Sequence, residues 1–203
     1  MAKAVEAPKP KPFTCVSRER DRRICQGDIF RDVEYFEYVI EAGDKVKIST
    51  IVFPLVVVLT QDCDLAQDDT GRSGNNDANH DKQLFSVLVA PVYNYEHVRE
   101  GTHLRDLGMK MLNISSKKAP YIRNNEISRY HFLEFNPDVV QIPPSVIDFK
   151  HYFSVNVEYL KERIATTWVC KLAELHREDV CQRFSAFLSR IGLPNAGQEQ
   201  QSG

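Results

Sequence analysis

Apolar and polar positions alternate along the first structured stretch of the chain. Gly27-Asp28 opens it as a turn, and Ile29, Phe30, Val33, Tyr35, Phe36, Tyr38 and Ile40 follow at spacings close to two. Ala42-Gly43-Asp44 is a second turn, after which Val46 and Ile48 lead into IVFPLVVVLT. Period-two alternation and β-branching predict a pair of strands here. The unbroken run Ile51 to Leu59 predicts a strand buried on both faces, and Pro54 marks a bend or a sheet edge near its start. Leu84 to Val92 is a second run of the same kind. Two such runs cannot both face water without a large apolar patch, so they are expected side by side in the sheet core. YHFLEF at 130 and VIDFKHYFSVN at 146 predict further strands.

Periodicity changes at the C-terminal end. Val180, Phe184, Phe187, Leu188 and Ile191 form one apolar stripe at helical spacing, with Gly192 and Pro194 as stop signals. Strands first and a packed helix last predict an α+β fold with a mostly antiparallel, strongly curved sheet. Trp168 and Leu172 read as core.

Two segments break the apolar pattern. Asp62 to Asp81 carries six aspartates and one basic residue, Arg72, among Gly, Asn and Ser, and reads as a long surface loop. From His97 to His131 there are seven basic residues against three acidic ones, beside Tyr93, Tyr95, Tyr121 and Tyr130. NYEHVREGTHLRDL within it reads as a helix broken at Gly101. The organisation expected is a disordered Pro- and Lys-rich leader over 1–24, one domain over 25–192 with insertions at about 66–82 and 95–128, and a disordered tail over 193–203.

Composition narrows the classes. The 203 residues are 42% apolar and 27% charged, with a net charge of −2, which suits a globular domain and excludes a histone-like basic binder. The longest apolar run is too short to span a bilayer, and no apolar signal region is visible near the N-terminus. The five cysteines are scattered without a C-x-x-C pair, so neither a disulfide framework nor a zinc ribbon is expected, and a reducing cytoplasm is. No phosphate-binding loop, dinucleotide fingerprint or nucleophile-elbow motif occurs.

The order of motifs resembles the PemK/MazF family of small toxins. Gly27-Asp28-Ile29-Phe30 matches that family's strand opening. Phe53-Pro54-Leu55-Val56-Val57-Val58-Leu59-Thr60 resembles its Arg-Pro-(apolar run)-Ser strand, and Val89-Ala90-Pro91-Val92-Tyr93 its Val-Ala-Pro-(apolar)-Thr strand end. The late strand from Val146 and the last helix complete the order. The resemblance implies an SH3-like curved barrel, often dimeric, that binds RNA or a protein partner, with charged insertions in a domain near twice the family's usual length. It also implies a loss. Phe53 stands where the family's ribonucleases place the arginine before the proline, and Tyr93 replaces a small hydroxyl residue, so their endoribonuclease activity does not transfer.

Two sets of residues carry candidate chemistry. Asp62, Cys63 and Asp64 end the buried strand. In an extended segment the two carboxylates would share one side and could hold Mg²⁺ with water and phosphate, or the thiol could act as a nucleophile; the alternative is a packed cysteine between turn-capping aspartates. Arg123, Arg129, Tyr130, His131 and Tyr93 have the basic and aromatic character of a single-strand binding groove, or of a solvated face that pairs with the acidic loop. The six histidines show no metal-ligand spacing. Two functions are therefore expected in competition. One is a toxin-like binding module of a toxin–antitoxin or phage-defence system, acting through an antitoxin or other protein, through RNA or DNA, or as a homodimer, with no membrane and no obligatory cofactor. The other is a metal- or thiol-dependent nuclease or hydrolase centred on Asp62, Cys63 and Asp64.

Overall fold

A computed structural model describes residues 13–73 and 80–190. Its sheet holds eight strands. These are β1 (Val16–Ser17), β2 (Asp28–Ala42), β3 (Lys45–Val58), β4 (Ser86–Asn94), β5 (Tyr130–Leu133), β6 (Ser145–Asp148), β7 (Phe153–Asn156) and β8 (Trp168–Leu172). Five helices join them: α1 (Asp62–Ser73), α2 (Tyr95–Glu100), α3 (Ala119–Arg123), α4 (Val157–Thr167) and α5 (Glu174–Leu188). The order across the sheet is β1-β8-β2-β3-β4-β6-β5, with β7 also paired to β4, and every pairing is antiparallel. The sheet curls into a half-barrel, an α+β architecture.

The two apolar runs are neighbours, with Val56, Val57 and Val58 opposite Pro91, Ala90 and Val89. Alternate residues feed two cores. Val56 and Val58 with Val87 and Val89 pack toward α4 and its Leu160, whereas Val57 and Leu59 with Ala90 and Val92 pack toward Val180, Phe184 and Phe187 of α5. That division explains why neither run alternates in hydropathy: helices cover both faces. Pro54 falls where β3 has not yet met β4, opposite Asp32, whose φ is +53°. A missing N–H is harmless there because no ladder asks for it. The 146–156 stretch is two strands rather than one, parted by a 3-10 turn over Phe149–His151.

Two expectations are corrected. Residues 13–24 belong to the fold rather than to a leader: β1 pairs with β8, Thr14 bridges to Phe135, and Ile24 is buried. The acidic segment is not a loop throughout, since α1 occupies Asp62–Ser73. Its buried Asp68 accepts from Arg72, Lys161 and the N–H of Leu84, which ties α1 to α4 and to the approach to β4. Residues 1–12, 74–79 and the stop signals from Ile191 onward lie outside the described residues.

Candidate functional site

Asn94 ends β4 and turns the chain into α2, its side-chain carbonyl accepting from the N–H groups of Glu96 and His97. The residue before it, Tyr93, is 7% exposed. Helix α2 stops at Gly101, which has φ +69°, and a Cβ built there would sit 2.3 Å from the Met111 carbonyl oxygen. Only glycine fits both the left-handed conformation and that close approach. The turn folds the following residues back across β4, bringing the His103 ring to 4.8 Å from that of Tyr93, centroid to centroid.

A second histidine arrives from the other side. Asp148 ends β6 fully buried and accepts from the Lys150 N–H at 3.0 Å, shaping the 3-10 turn that presents His151. His151 Nδ1 lies 3.2 Å from the Tyr93 hydroxyl and 3.3 Å from Asp148 Oδ2. Arg129 grips Asp148 with a fork, Nε to Oδ1 at 2.8 Å and Nη2 to Oδ2 at 2.5 Å. A buried carboxylate needs such a partner, and the planar guanidinium supplies two parallel donors. Phe53 from β3 closes the cluster, 6.4 Å from Tyr93 between ring centroids.

Phe53, Tyr93 and His103 of this cluster edge a cavity of about 550 Å³, lined also by Leu55, Asn94 and Arg105 among others. A smaller apolar hollow adjoins it through Phe53 and Tyr93, and His151 lines this second hollow. Burial lowers the pKa of both histidines; for His151 the Asp148 carboxylate opposes the shift, while Arg129 and Lys150 add to it. Both imidazoles are therefore neutral at pH 7. Burial first, and the Asp148 charge second, hold the Tyr93 phenol well above its ordinary value, so it remains a donor. Among the described residues neither ring nitrogen of His103 has a hydrogen-bond partner, although both are buried; the His97 carbonyl is near enough to favour protonation but not in bonding geometry. Unpaired buried nitrogens are costly, and the His103 ring that carries them lines the cavity, with both nitrogens shielded from it. The arrangement offers two neutral imidazoles, a phenol and aromatic faces for stacking.

The sequence-based candidates divide. Tyr93 and Arg129 meet in this cluster, and Tyr130 lies under the Arg129 guanidinium at 4.9 Å. Arg123 is apart on α3, stacked over Tyr95 and 3.9 Å from Glu96. His131 is not beside Tyr130 on the surface. Successive strand residues point to opposite faces, and His131 is buried against α5, 4.0 Å from Asp179, with burial and then Arg183 pushing its pKa down to about 3. His103, His151 and Asp148 escape sequence reasoning: His103 lies on a segment far from the other two, and the one local signal is Asp148 three residues before His151.

The Asp62-Cys63-Asp64 segment is helical, not extended, so its two carboxylates do not share one side. Asp62 receives the Arg23 guanidinium at 3.1 and 2.7 Å and the Gln26 N–H at 3.1 Å. Burial pushes its carboxyl up, but these donors prevail and hold it below its ordinary value. Asp62 thus pins residues 23–26 to the start of α1. Cys63 is exposed, within 3.6 Å of Gln61 and of Asp64, neither of which is a base for a thiol. Among the described residues no three His, Cys, Asp or Glu side chains converge to hold a metal ion, and no helix is long and apolar enough to cross a membrane. The chain matches no family model, no curated protein and no solved structure.

Proposed function

We propose that the chain is a toxin-like module of the PemK/MazF kind, with an SH3-like barrel, working in the cytoplasm within a toxin–antitoxin or defence system. In this reading it takes single-stranded RNA into the cavity between β3 and β4. One observation carries the proposal. Phe53 and Tyr93, distant in sequence and both singled out by the motif resemblance, edge the same cavity together with the neutral His103, and His151 bonds to the Tyr93 hydroxyl from beside it. Unpaired bases stack on aromatic faces whatever their identity, and ring nitrogens and a phenol can pair with base edges. Arg105 on the cavity wall is placed to meet a phosphate. An antitoxin would act by filling the same cavity.

The test is fluorescence anisotropy with labelled single-stranded RNA at fixed low salt. Tyr93→Ala and His103→Ala are each expected to weaken binding about tenfold or more, in line with the stacking contribution of one base. Cys63→Ala should leave it unchanged. Absence of binding by the parent, or equal loss on Cys63→Ala, would overturn the reading.

A second reading, metal-independent cleavage of the bound strand, is favoured by the Asp148–His151–Tyr93 contact. A buried carboxylate orients an imidazole whose neutral form can accept a proton, with the His103 ring 6.5 Å from it between centroids. Cleavage that persists in EDTA and disappears in His151→Ala would support it. Cleavage that requires a divalent ion would favour the nuclease reading centred elsewhere.

A further inference from the structure

The β2–β3 pair breaks step at Asp32. Phe30 and Val33 of β2 both join the core under α4 although they are three residues apart, and so do Phe53 and Val56 of β3. Strict alternation would put the members of each pair on opposite faces. The extra step falls on Asp32, at φ +53°, and on Pro54, between the Arg31–Leu55 and Val33–Phe53 pairs. Aspartate enters this left-handed region more readily than most side chains, at a modest cost, and residues held there gather at functional sites. Arg31 and its cross-strand partner Leu55 are left on the other face of the sheet, beside the core that Val169 joins. β8 pairs with β2 only as far as Phe30, so among the described residues no strand covers Arg31 or Asp32 on that side.

A second cavity, of about 670 Å³, opens at this break. Leu55, Val140, Ile142 and Val169 give it apolar surface. The loop over 137–143 forms one wall, and Asn136 fixes its shape. The Asn136 side-chain carbonyl accepts from the Asp138 N–H at 2.9 Å, and its backbone carbonyl accepts from the N–H groups of Val139 and Val140, both at 3.0 Å. Four charged side chains also line the cavity: Arg18 just after β1, Arg31 and Asp32 at the break, and Asp138 on the loop. Among the described residues none of these four side chains has a hydrogen bond or an ion pair, either with one another or elsewhere. The cavity meets the first one at Pro54, Leu55 and Pro143, while Phe53, Tyr93 and His103 line only the first.

We propose that this second cavity binds a small zwitterion with an aliphatic body, an α-amino acid or a dipeptide. The charges decide the class. A guanidinium presents a planar fork that matches a carboxylate, and the two aspartates match an ammonium group. With two charges of each sign the cavity is neutral as a whole, so a polyanion such as RNA finds no net attraction there. A ligand with one sign of charge meets its like as well as its opposite, whereas a zwitterion answers both. The valines, Leu55 and Ile142 complement a branched apolar side chain. The volume falls in the range of small-molecule sites. All four charged side chains belong to exposed residues, so solvent screens them and the affinity is modest. The inference does not depend on the RNA reading of the first cavity.

An amide NMR titration of the isotope-labelled full chain, with L-leucine and with L-leucyl-L-leucine in turn, tests the proposal and separates the two sources. At least one of them should give saturable shifts with a Kd on the order of 1 mM or tighter, as suits a ligand of this size. The N–H groups of Asp32 and Gln141, both on the cavity lining, should move most. Masking either charge of the better ligand, by N-acetylation or by C-terminal amidation, should weaken binding about tenfold, the loss of one charge-assisted contact. Arg31→Gln and Asp32→Asn each remove one exposed charge, and asparagine accepts the left-handed backbone at 32. Both variants should keep the parent's far-UV circular dichroism spectrum and bind about tenfold more weakly. Absence of saturable shifts with both zwitterions would overturn the proposal, and so would folded variants that bind like the parent. An N-acetylated ligand or inorganic phosphate that binds as tightly would make the cavity a simple anion site and overturn it equally.

Discussion

Two strand-to-helix corners of the same sheet differ in a way that residue type does not reveal. At the end of β3, Gln61 and Asp62 lead into α1. At the end of β4, Tyr93 and Asn94 lead into α2. The β3 corner is richer in chemistry by residue type, with two carboxylates and a thiol, but its strongest group is already engaged: the Arg23 fork and the Gln26 N–H occupy Asp62. The β4 corner is plain in sequence, yet it keeps polar atoms in reserve. His103 has both ring nitrogens unpartnered among the described residues, beside a cavity, and His151 shares its Nδ1 between a phenol and a buried carboxylate. Residue type alone does not make a site. A site needs polar capacity that the fold has positioned and left unused.

The sharpest way to break this contrast is at the foot of the β4 corner. Asp148→Ala strands the Arg129 guanidinium in a half-buried setting and frees His151. A loss of about 3–5 kcal/mol in urea-unfolding stability is expected, because breaking one side of a buried pair costs more than the pair contributes. A loss below about 1 kcal/mol would mean that Asp148 supports nothing.

Acid separates the structural histidine from the functional ones. Burial depresses the pKa of His131 to about 3 in the folded state. Its contribution is present above its unfolded pKa of about 6.5 and is lost as pH falls from there toward 3, because the unfolded chain takes up the proton first. Asp28 works in the opposite sense. Burial raises it to about 6, so its contribution is present below the usual carboxyl range and is lost as pH rises through 6. His131→Gln should therefore flatten the acid limb of a stability-against-pH curve while leaving RNA binding intact. An unchanged acid limb would show that His131 is not the group responsible.

The β3 corner should respond mildly. Asp62→Ala removes a fork between side chains that are 31% and 24% exposed. Solvent screening limits the loss to about 1–2 kcal/mol by thermal melting, with no effect on RNA binding. Cys63→Ala should change stability by less than about 0.5 kcal/mol, as exposed substitutions away from special features do. A large change in activity from either variant would reverse the ranking of the two corners.

The fold is legible in the sequence where burial imposes a pattern. The runs at 51–59 and 84–92 read as neighbouring strands because helices on both faces remove their polar positions. The β2–β3 hairpin reads as strands from its alternation, but not as running past its neighbours, since sequence does not show where neighbouring strands stop. The Asp62–Asp64 segment misleads because period two does not continue past the end of the strand. Acidic residues in a first helical turn, with Leu65 and Asp68 three apart on the buried side, are the signal for α1. Tyr93 is legible from the Ala-Pro strand end. His103, Asp148 and His151 are not, because the Gly101 turn and the Asp148 cap that bring them to Tyr93 act through tertiary geometry rather than local periodicity.

Histidine side-chain NMR during a titration with single-stranded RNA addresses the central claim most directly. The six imidazoles report separately, and only His103 and His151 combine neutrality with a place beside Tyr93. The account predicts that the ring resonances of these two move in proportion to bound RNA and that those of His131 and His176 stay in place. Shifts confined to His176, on α5, with His103 and His151 unmoved at saturating RNA, would contradict it.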